Sequence, residues 1–399
     1  MMSKRVIIML KCASIYTYEI DEPEVALEEI EAQLNAKITL LEHTVGVIMC
    51  HPEFIASGVI KFISENLPFD LVGATSSAQA VNGEVGELIL TMFIITSDDV
   101  WFKTGATEDL LAEINKPIID ALSKAATGER ETPRLALIFP PLILEHAGDA
   151  YVAACGQVMP DTPVFGTLAI EDTIPFDDSE TIHNGKSYKS AMTFILCYGS
   201  INPRFLIGTL HDDKAVPYRG EITKSSGAFV QEINNINAYE YFSSIGFAAD
   251  GALIEKFGFV LYMIDQKKRE DYDGVPVVRG LVSFTEDGAA IFRGVMDEGS
   301  TFSMLTSDYD DILSTTREKI EQLNELSDIN GALLFSCVIR RMVAMRNGPL
   351  TELRVAGDTI SSGFPYMIGY AGGEICPTSI KNGKPTNRFH NYSLIILII

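Results

Sequence analysis

Chemistry in this sequence gathers in "ALLFSCVIRRMV", Ala332 to Val343, where an apolar run stops at Ser336 and Cys337 and two arginines follow at Arg340 and Arg341. A thiol in such a place is a nucleophile, a pocket wall or a small buried hydrophobe, and the spacing leaves all three open. A run of strand formers that turns into a helix at Cys337 puts the thiol at a helix amino-terminus. Unpaired N–H groups and a partial positive charge there favour anions and lower a thiol pKa. Arg340 and Arg341, three and four residues on, either share a face with Cys337 or flank it. A metal ligand is not indicated, because no second ligand lies near in sequence. The corner is electropositive within a chain whose net charge is −23.

The elements that must hold this corner follow from periodicity. In the first half, strand-like and helix-like segments alternate. "RVIIMLKC" and "TVGVIMC" read as strands. "EPEVALEEIEAQL" reads as a helix, with Pro23 in its first turn and apolar residues at Val25, Leu27, Ile30 and Leu34, and "EFIASGVIKFISE" reads as another. Strands "GELILTMFIITS" and "VWFKTGA", a helix over about Glu108 to Lys124, strand "RLALIF" and a helix towards Cys155 continue the series. From Val164, strands joined by turns take over. Asn184-Gly185 and Asp287-Gly288 are hairpin signals between apolar runs, and Asn382-Gly383 marks a loop near the end. "VGVIMCHPEF", "LALIFPPLIL" and "ALLFSCVIRR" each pass from a buried strand straight into a helix, an ordinary βα unit that does not by itself establish a duplication. The pattern predicts an α/β (α+β) protein of two domains with mixed or largely antiparallel β-sheets flanked by helices. The charged turn Asp212-Asp213-Lys214 divides it into 1–214 and 215–399.

Composition narrows the function. At 399 residues the chain exceeds one ordinary core. Hydrophobic content of 47% and charged content of 21% are those of a folded globular protein. The net charge of −23 argues against nucleic acid, since phosphate binding needs a cationic face. The basic triplet Lys267-Lys268-Arg269 reads as a solvated loop. Cys12, Cys50, Cys155, Cys197, Cys337 and Cys376 form no C-x-x-C pair and suit a reducing compartment as buried thiols. The apolar run Val6 to Leu10 is shorter than the roughly 7 residues of a signal-peptide core. The closing "YSLIILII" falls short of the roughly 18 apolar residues that span a bilayer and reads as a buried strand. A cytoplasmic protein with no membrane span is expected. There is no G-x-G-x-x-G after a strand, no P-loop, no H-E-x-x-H and no G-x-S-x-G, so no cofactor is indicated.

Four stretches in order resemble a known family. They are "VGATSSAQAV" with "GELIL"; "TPVFGTLAIEDT" with "HNGKSYKSAMTFIL"; "ITKSSGAFVQEINNINAYEYF"; and "LLFSCVIRR", "GYAGGEICP" and "FHNYSLIIL". The set is similar to the motifs of FIST proteins, with paired FIST N-terminal and C-terminal domains, found in bacterial sensory and signal-transduction proteins and some F-box proteins. The chain departs at Ala74 and Gln79-Ala80, where the family has Cys and Gly-Glu, and at Asn234-Asn235. The resemblance implies a sensor that binds a small molecule, such as an amino acid, and signals through a separate protein such as a kinase or chemoreceptor. It leaves a homodimer open. The family's acidic position falls on Asp172, a polar pocket residue or the cap of a turn.

Together these readings assemble a pocket. The Cys337 turn and Arg340 form one wall and hold a ligand carboxylate, Arg suiting bidentate contact. Tyr370, Gly373 and Glu374 lie in "GYAGGEI". Glu374 faces the ligand's ammonium or simply pairs with Arg340, and the glycines allow close backbone approach. His390 and Asn391 line the same space or bond a turn. The alternatives are an enzyme with Cys337 as nucleophile on a thioester or amide, and a scaffold that docks a partner.

Overall fold

The structure is a computed structural model that describes residues 10–173, 176–245, 262–265, 270–305, 307–345, 348–361 and 363–399. Residues 1–9, most of the first expected strand, and the Lys267-Lys268-Arg269 triplet lie outside the described residues.

One arrangement occurs three times. In the first unit, strand β1 (Leu10–Thr17) leads to helix α1 (Pro23–Lys37) and to β2 (His43–Cys50). Helices α2 (Glu53–Ala56) and α3 (Val59–Asn66) return the chain to β3 (Asp70–Thr75), a hairpin β4 (Gln79–Val81) and β5 (Glu84–Gly86), and β6 (Leu90–Ser97). The second unit repeats this with β7 (Val100–Ala106), α4 (Asn115–Ala125), β8 (Leu135–Phe139), α5 (Asp149–Val158), β9 (Val164–Thr167), hairpin β10 (Thr181–His183) and β11 (Lys186–Tyr188), and β12 (Thr193–Gly199). The third unit begins at β13 (Arg204–Gly208). It carries a large insertion before continuing as the others do, and Asp212–Lys214 marks where the insertion leaves. The insertion comprises β14 (Ala215–Ser226), β15 (Phe229–Ile233), β16 (Ile236–Asn237), α6 (Ala238–Ser244), β17 (Tyr262–Asp265), β18 (Val278–Phe284), β19 (Ala290–Phe292) and β20 (Thr301–Leu305). The unit resumes with α7 (Tyr309–Asn324), β21 (Ala332–Cys337), α8 (Val338–Ala344), α9 (Thr351–Thr359), β22 (Tyr366–Ala371), hairpin β23 (Glu374–Lys381) and β24 (Lys384–His390), and β25 (Leu394–Ile398).

The sheet orders match unit for unit: β1-β6-β2-β3, β7-β12-β8-β9 and β13-β25-β21-β22. In each, the two inner strands that flank the helical crossover run parallel and the rest antiparallel. Each hairpin completes a neighbour's sheet. β4–β5 joins β22, β10–β11 joins β3 and β23–β24 joins β9, in a closed cycle. All three hairpins turn on Asn-Gly: Asn82-Gly83, Asn184-Gly185 and Asn382-Gly383, each pair with both residues at positive φ. That is the type I′ turn whose twist suits a hairpin. The βα echo in the sequence is thus a threefold architectural repeat.

The repeat explains the burial. One face of each sheet meets the other two in a shared core, to which β2 gives Val45, Val47 and Met49, β8 gives Leu137 and Phe139, and β21 gives Leu333 and Phe335. Phe335 lies against Phe139 and Phe165, with ring centroids 6.2 and 5.4 Å away. The opposite faces carry each unit's own helices; α1 buries Ala26, Ile30 and Leu34 one turn apart against its sheet. Val25 and Leu27, expected on that face, are only partly buried. The helix expected from Glu108 starts at Asn115. In the insertion, β14 pairs with both β20 and β15, so its seven strands curl back on themselves around a separate core.

Candidate functional site

Strand β21 is buried along its length and ends at Cys337, which caps the seven-residue helix α8. The chain turns there because β25 and the loop before it hold the end of the strand: the Cys337 N–H donates to the Ser393 carbonyl at 2.9 Å. Arg340, one turn into α8, points between α7 and α9. It is fully buried, and so is its partner, Glu352 of α9. Arg340 Nε and Nη2 reach Glu352 Oε1 at 3.0 and 2.9 Å, and Nη2 also donates to the Ile312 carbonyl and to the hydroxyls of Thr315 and Thr316. Ser336 donates to the same carboxylate at 3.0 Å. Burial, the largest single influence, lowers the guanidinium's pKa; the Glu352 charge and hydrogen bond, with Tyr392 and Tyr370, together raise it above the ordinary value. This corrects two expectations. Arg340 does not bring an uncompensated charge to a ligand carboxylate, and its ion-pair partner is not Glu374. Losing either member of the pair would strand the other, at a cost of about 3–5 kcal/mol. Arg341 turns away to pair with Glu87 and lies over the Tyr370 ring, 5.8 Å from its centroid.

Glu374 opens β23 with no exposed surface. Its Oε2 accepts from the Ser393 N–H at 3.2 Å, and burial pushes its pKa well above the carboxylate range. The Cys337 thiol lies against it, and its pKa is pushed well up, by burial first and then by Glu374. Tyr370, on β22, has its hydroxyl near Glu352 and both arginines, and burial raises its pKa. Asn391 donates to the His390 carbonyl at 3.1 Å. Four buried polar atoms in this group make no hydrogen bond of good geometry among the described residues: Arg340 Nη1, Tyr370 Oη, Glu374 Oε1 and Asn391 Oδ1. Native structures seldom leave such atoms without water or ligand.

The remaining expected site residues stand differently. His390 bonds the Cys376 carbonyl through Nε2 at 3.1 Å, with its ring edge-on to Tyr272, and burial lowers its pKa to about 4. Gly373 has φ 140°, and a Cβ there would meet the Phe389 ring at 2.5 Å, so its place is one of close packing. Asp172 accepts from His51 Nε2 at 3.0 Å; the cap of its turn is made instead by Glu171, which bonds the Thr173 N–H and hydroxyl.

The sequence reading missed Glu352, an acid on the buried face of "TELRVAG". It also missed a second polar knot. Arg279, on β18, is 1% exposed and donates to Asp149 of α5 at 3.1 Å, to the Tyr272 hydroxyl at 2.8 Å and to the Phe389 carbonyl at 3.3 Å. Asp149 also accepts from the Val295 N–H, so this knot clamps the insertion to the second unit. The signal was the paired Arg-Gly in "VVRGL" and "IFRGV": a Cβ on Gly294 would sit 2.3 Å from Arg279 Nε. A groove of about 480 Å³ lies at the amino ends of β2 and β3, lined by Leu40 to Val45, Pro68 to Asp70, Phe102 and Thr104, and shares no residue with the Cys337 group. Among the described residues, no three His, Cys, Asp or Glu converge to hold a metal, and no helix is long and apolar enough to cross a membrane.

Comparison with family models matches the FIST N domain over residues 44–236 and the FIST C domain over 235–377. The chain belongs to the FIST family. The two FIST domains meet within the first strands of the insertion, and the division into two agrees with the mixed α/β reading of the sequence. FIST domains are associated with sensory and signal-transduction proteins that bind small ligands. Comparison with curated proteins finds no match.

Proposed function

We propose that this FIST protein is a cytoplasmic sensor. It binds a small ligand, an amino acid or another small carboxylate, among the buried polar side chains around Cys337 and signals through a separate protein such as a kinase or chemoreceptor. The observation that carries the reading is the set of four buried polar atoms that make no hydrogen bond of good geometry among the described residues. Each such atom costs about 1–3 kcal/mol unless something satisfies it. Asn391 Oδ1 offers an acceptor for an ammonium, whose charge would favour loss of the Glu374 proton; Arg340 Nη1 and the Tyr370 hydroxyl offer donors for a carboxylate. Cys337, its thiol held protonated by burial, serves as wall. A nucleophile would need a lowered pKa or an adjacent base.

Thermal-shift measurements with L-amino acids and small mono- and dicarboxylates test this. At least one compound should raise the midpoint of the wild type. Asn391→Ala should weaken it by roughly tenfold, the equivalent of one lost hydrogen bond of about 1.4 kcal/mol. If no compound shifts the wild type, or the variant binds as tightly, the reading is wrong.

A further inference from the structure

We infer that Asn382 is a site of covalent modification, at which the folded chain loses ammonia and acquires aspartyl and isoaspartyl forms of the residue. The inference does not depend on the sensor reading. Asn-Gly occurs five times in the chain, at Asn82, Asn184, Asn330, Asn347 and Asn382. Asn347 lies outside the described residues. The pair is reactive because glycine puts no side chain in the way. The glycine N attacks the asparagine Cγ. The N–Cγ bond forms, the Cγ–Nδ2 bond breaks, and the amide leaves as ammonia with the proton of the glycine N–H. Water then opens the five-membered imide at either carbonyl, giving aspartate or isoaspartate. The turn must loosen for the two atoms to meet, and a hydrogen bond on either group resists that.

Exposure does not separate the four described asparagines, since all four are exposed. Hydrogen bonding does. Asn82 accepts from the Ser14 hydroxyl at 2.9 Å and donates to the Ser14 carbonyl at 3.2 Å, and the Gly83 N–H donates to the Tyr366 hydroxyl at 2.9 Å. Asn184 accepts from the Leu71 N–H at 2.9 Å and donates to Asp70 at 2.8 Å. After Asn330, the Gly331 N–H donates to the Ile399 carbonyl at 3.2 Å. At the tip of the β23–β24 hairpin these restraints are missing. Among the described residues, neither the Asn382 side chain nor the Gly383 N–H makes a hydrogen bond, and residues 380–384 are all exposed. The space is open as well, since a Cβ on Gly383 would meet no atom within 4 Å. The product would alter the hairpin where the insertion touches it. Thr378, Ser379 and Lys381 all bond Asp273 of the insertion. Isoaspartate carries the chain through its side-chain carbon and lengthens the turn, and either product sets a negative charge beside the Lys381–Asp273 pair.

The test maps peptides of the full chain held folded in mildly alkaline buffer and of the same chain held in urea. Conversion is read as the mass gained when an amide becomes an acid. In the folded chain the Asn382 peptide should convert at least about tenfold faster than those of Asn82, Asn184 and Asn330, whose hydrogen bonds must break before the ring can close. In urea the four should convert at similar rates. An Asn382 that converts no faster than the other three in the folded chain overturns the inference. So does an Asn382 that leads by the same factor in urea, because the cause would then lie in local sequence and not in the turn. Asn382→Gln, whose longer side chain closes its ring far more slowly, should abolish the mass gain in that peptide. A gain that persists places the change on another residue and overturns the assignment.

Discussion

Glu374 and His390 face each other in the β23–β24 hairpin, and burial drives them in opposite directions. His390 is held neutral down to about pH 4, against about 6.5 in an unfolded chain. In that window the unfolded state binds more protons, so its contribution is present above about pH 6.5 and lost as the pH falls, by about 3 kcal/mol in all. Glu374 is held protonated above its ordinary range. Its contribution is present below the unfolded pKa of about 4.3 and lost as the pH rises towards the folded value. Denaturant unfolding from pH 4 to 8 should therefore show Glu374→Gln gaining stability over the wild type as the pH rises, and His390→Gln removing part of the acid-side loss. Curves that stay parallel to the wild type's would show that the two groups titrate as they do when unfolded.

The Asn-Gly hairpins are the elements by which the units exchange sheet edges. A Cβ on Gly83 or Gly383 meets no atom within 4 Å, so backbone strain alone opposes a side chain at their φ of 93° and 78°. Gly83→Ala and Gly383→Ala should each lower stability by about 1–2 kcal/mol in urea unfolding. Gly185→Ala should cost more, because its Cβ also meets Lys61 Cα of α3 at 3.2 Å. Equal losses at all three would show that the contact with α3 does not matter. The pattern marks Asn184-Gly185 and Asn382-Gly383 as turns because apolar runs flank them. It passes over Asn82-Gly83, which follows the small and polar run "ATSSAQA" and not an apolar one.

At the scale of the molecule, the cyclic exchange sets how the chain folds. The sheet of the first unit needs β10–β11, that of the second needs β23–β24, and that of the third needs β4–β5. A fragment ending at residue 214, the boundary expected from the charged turn, lacks β23–β24 and leaves β4–β5 without its sheet. It should show no sharp unfolding transition. In the full chain, fluorescence of the sole tryptophan, Trp101, stacked on Tyr198 in the second unit, should fall together with far-UV circular dichroism. A cooperative transition in the fragment would mean that the core of the first two units stands without the third.

What the sequence by itself determined was local or ordinal. Continuous apolar runs marked β2, β8, β21 and β25 as buried strands, the Ser336–Cys337 break marked the strand-to-helix turn, and the order of four motifs marked the family. These hold because periodicity and turn chemistry act over a few residues. Only the tertiary structure decided which acid takes Arg340, since Glu352 and Glu374 were both available in sequence and the packing of α8 between α7 and α9 chose between them. It alone closed the three βα echoes into a cycle, because strand pairing between distant segments leaves no local trace.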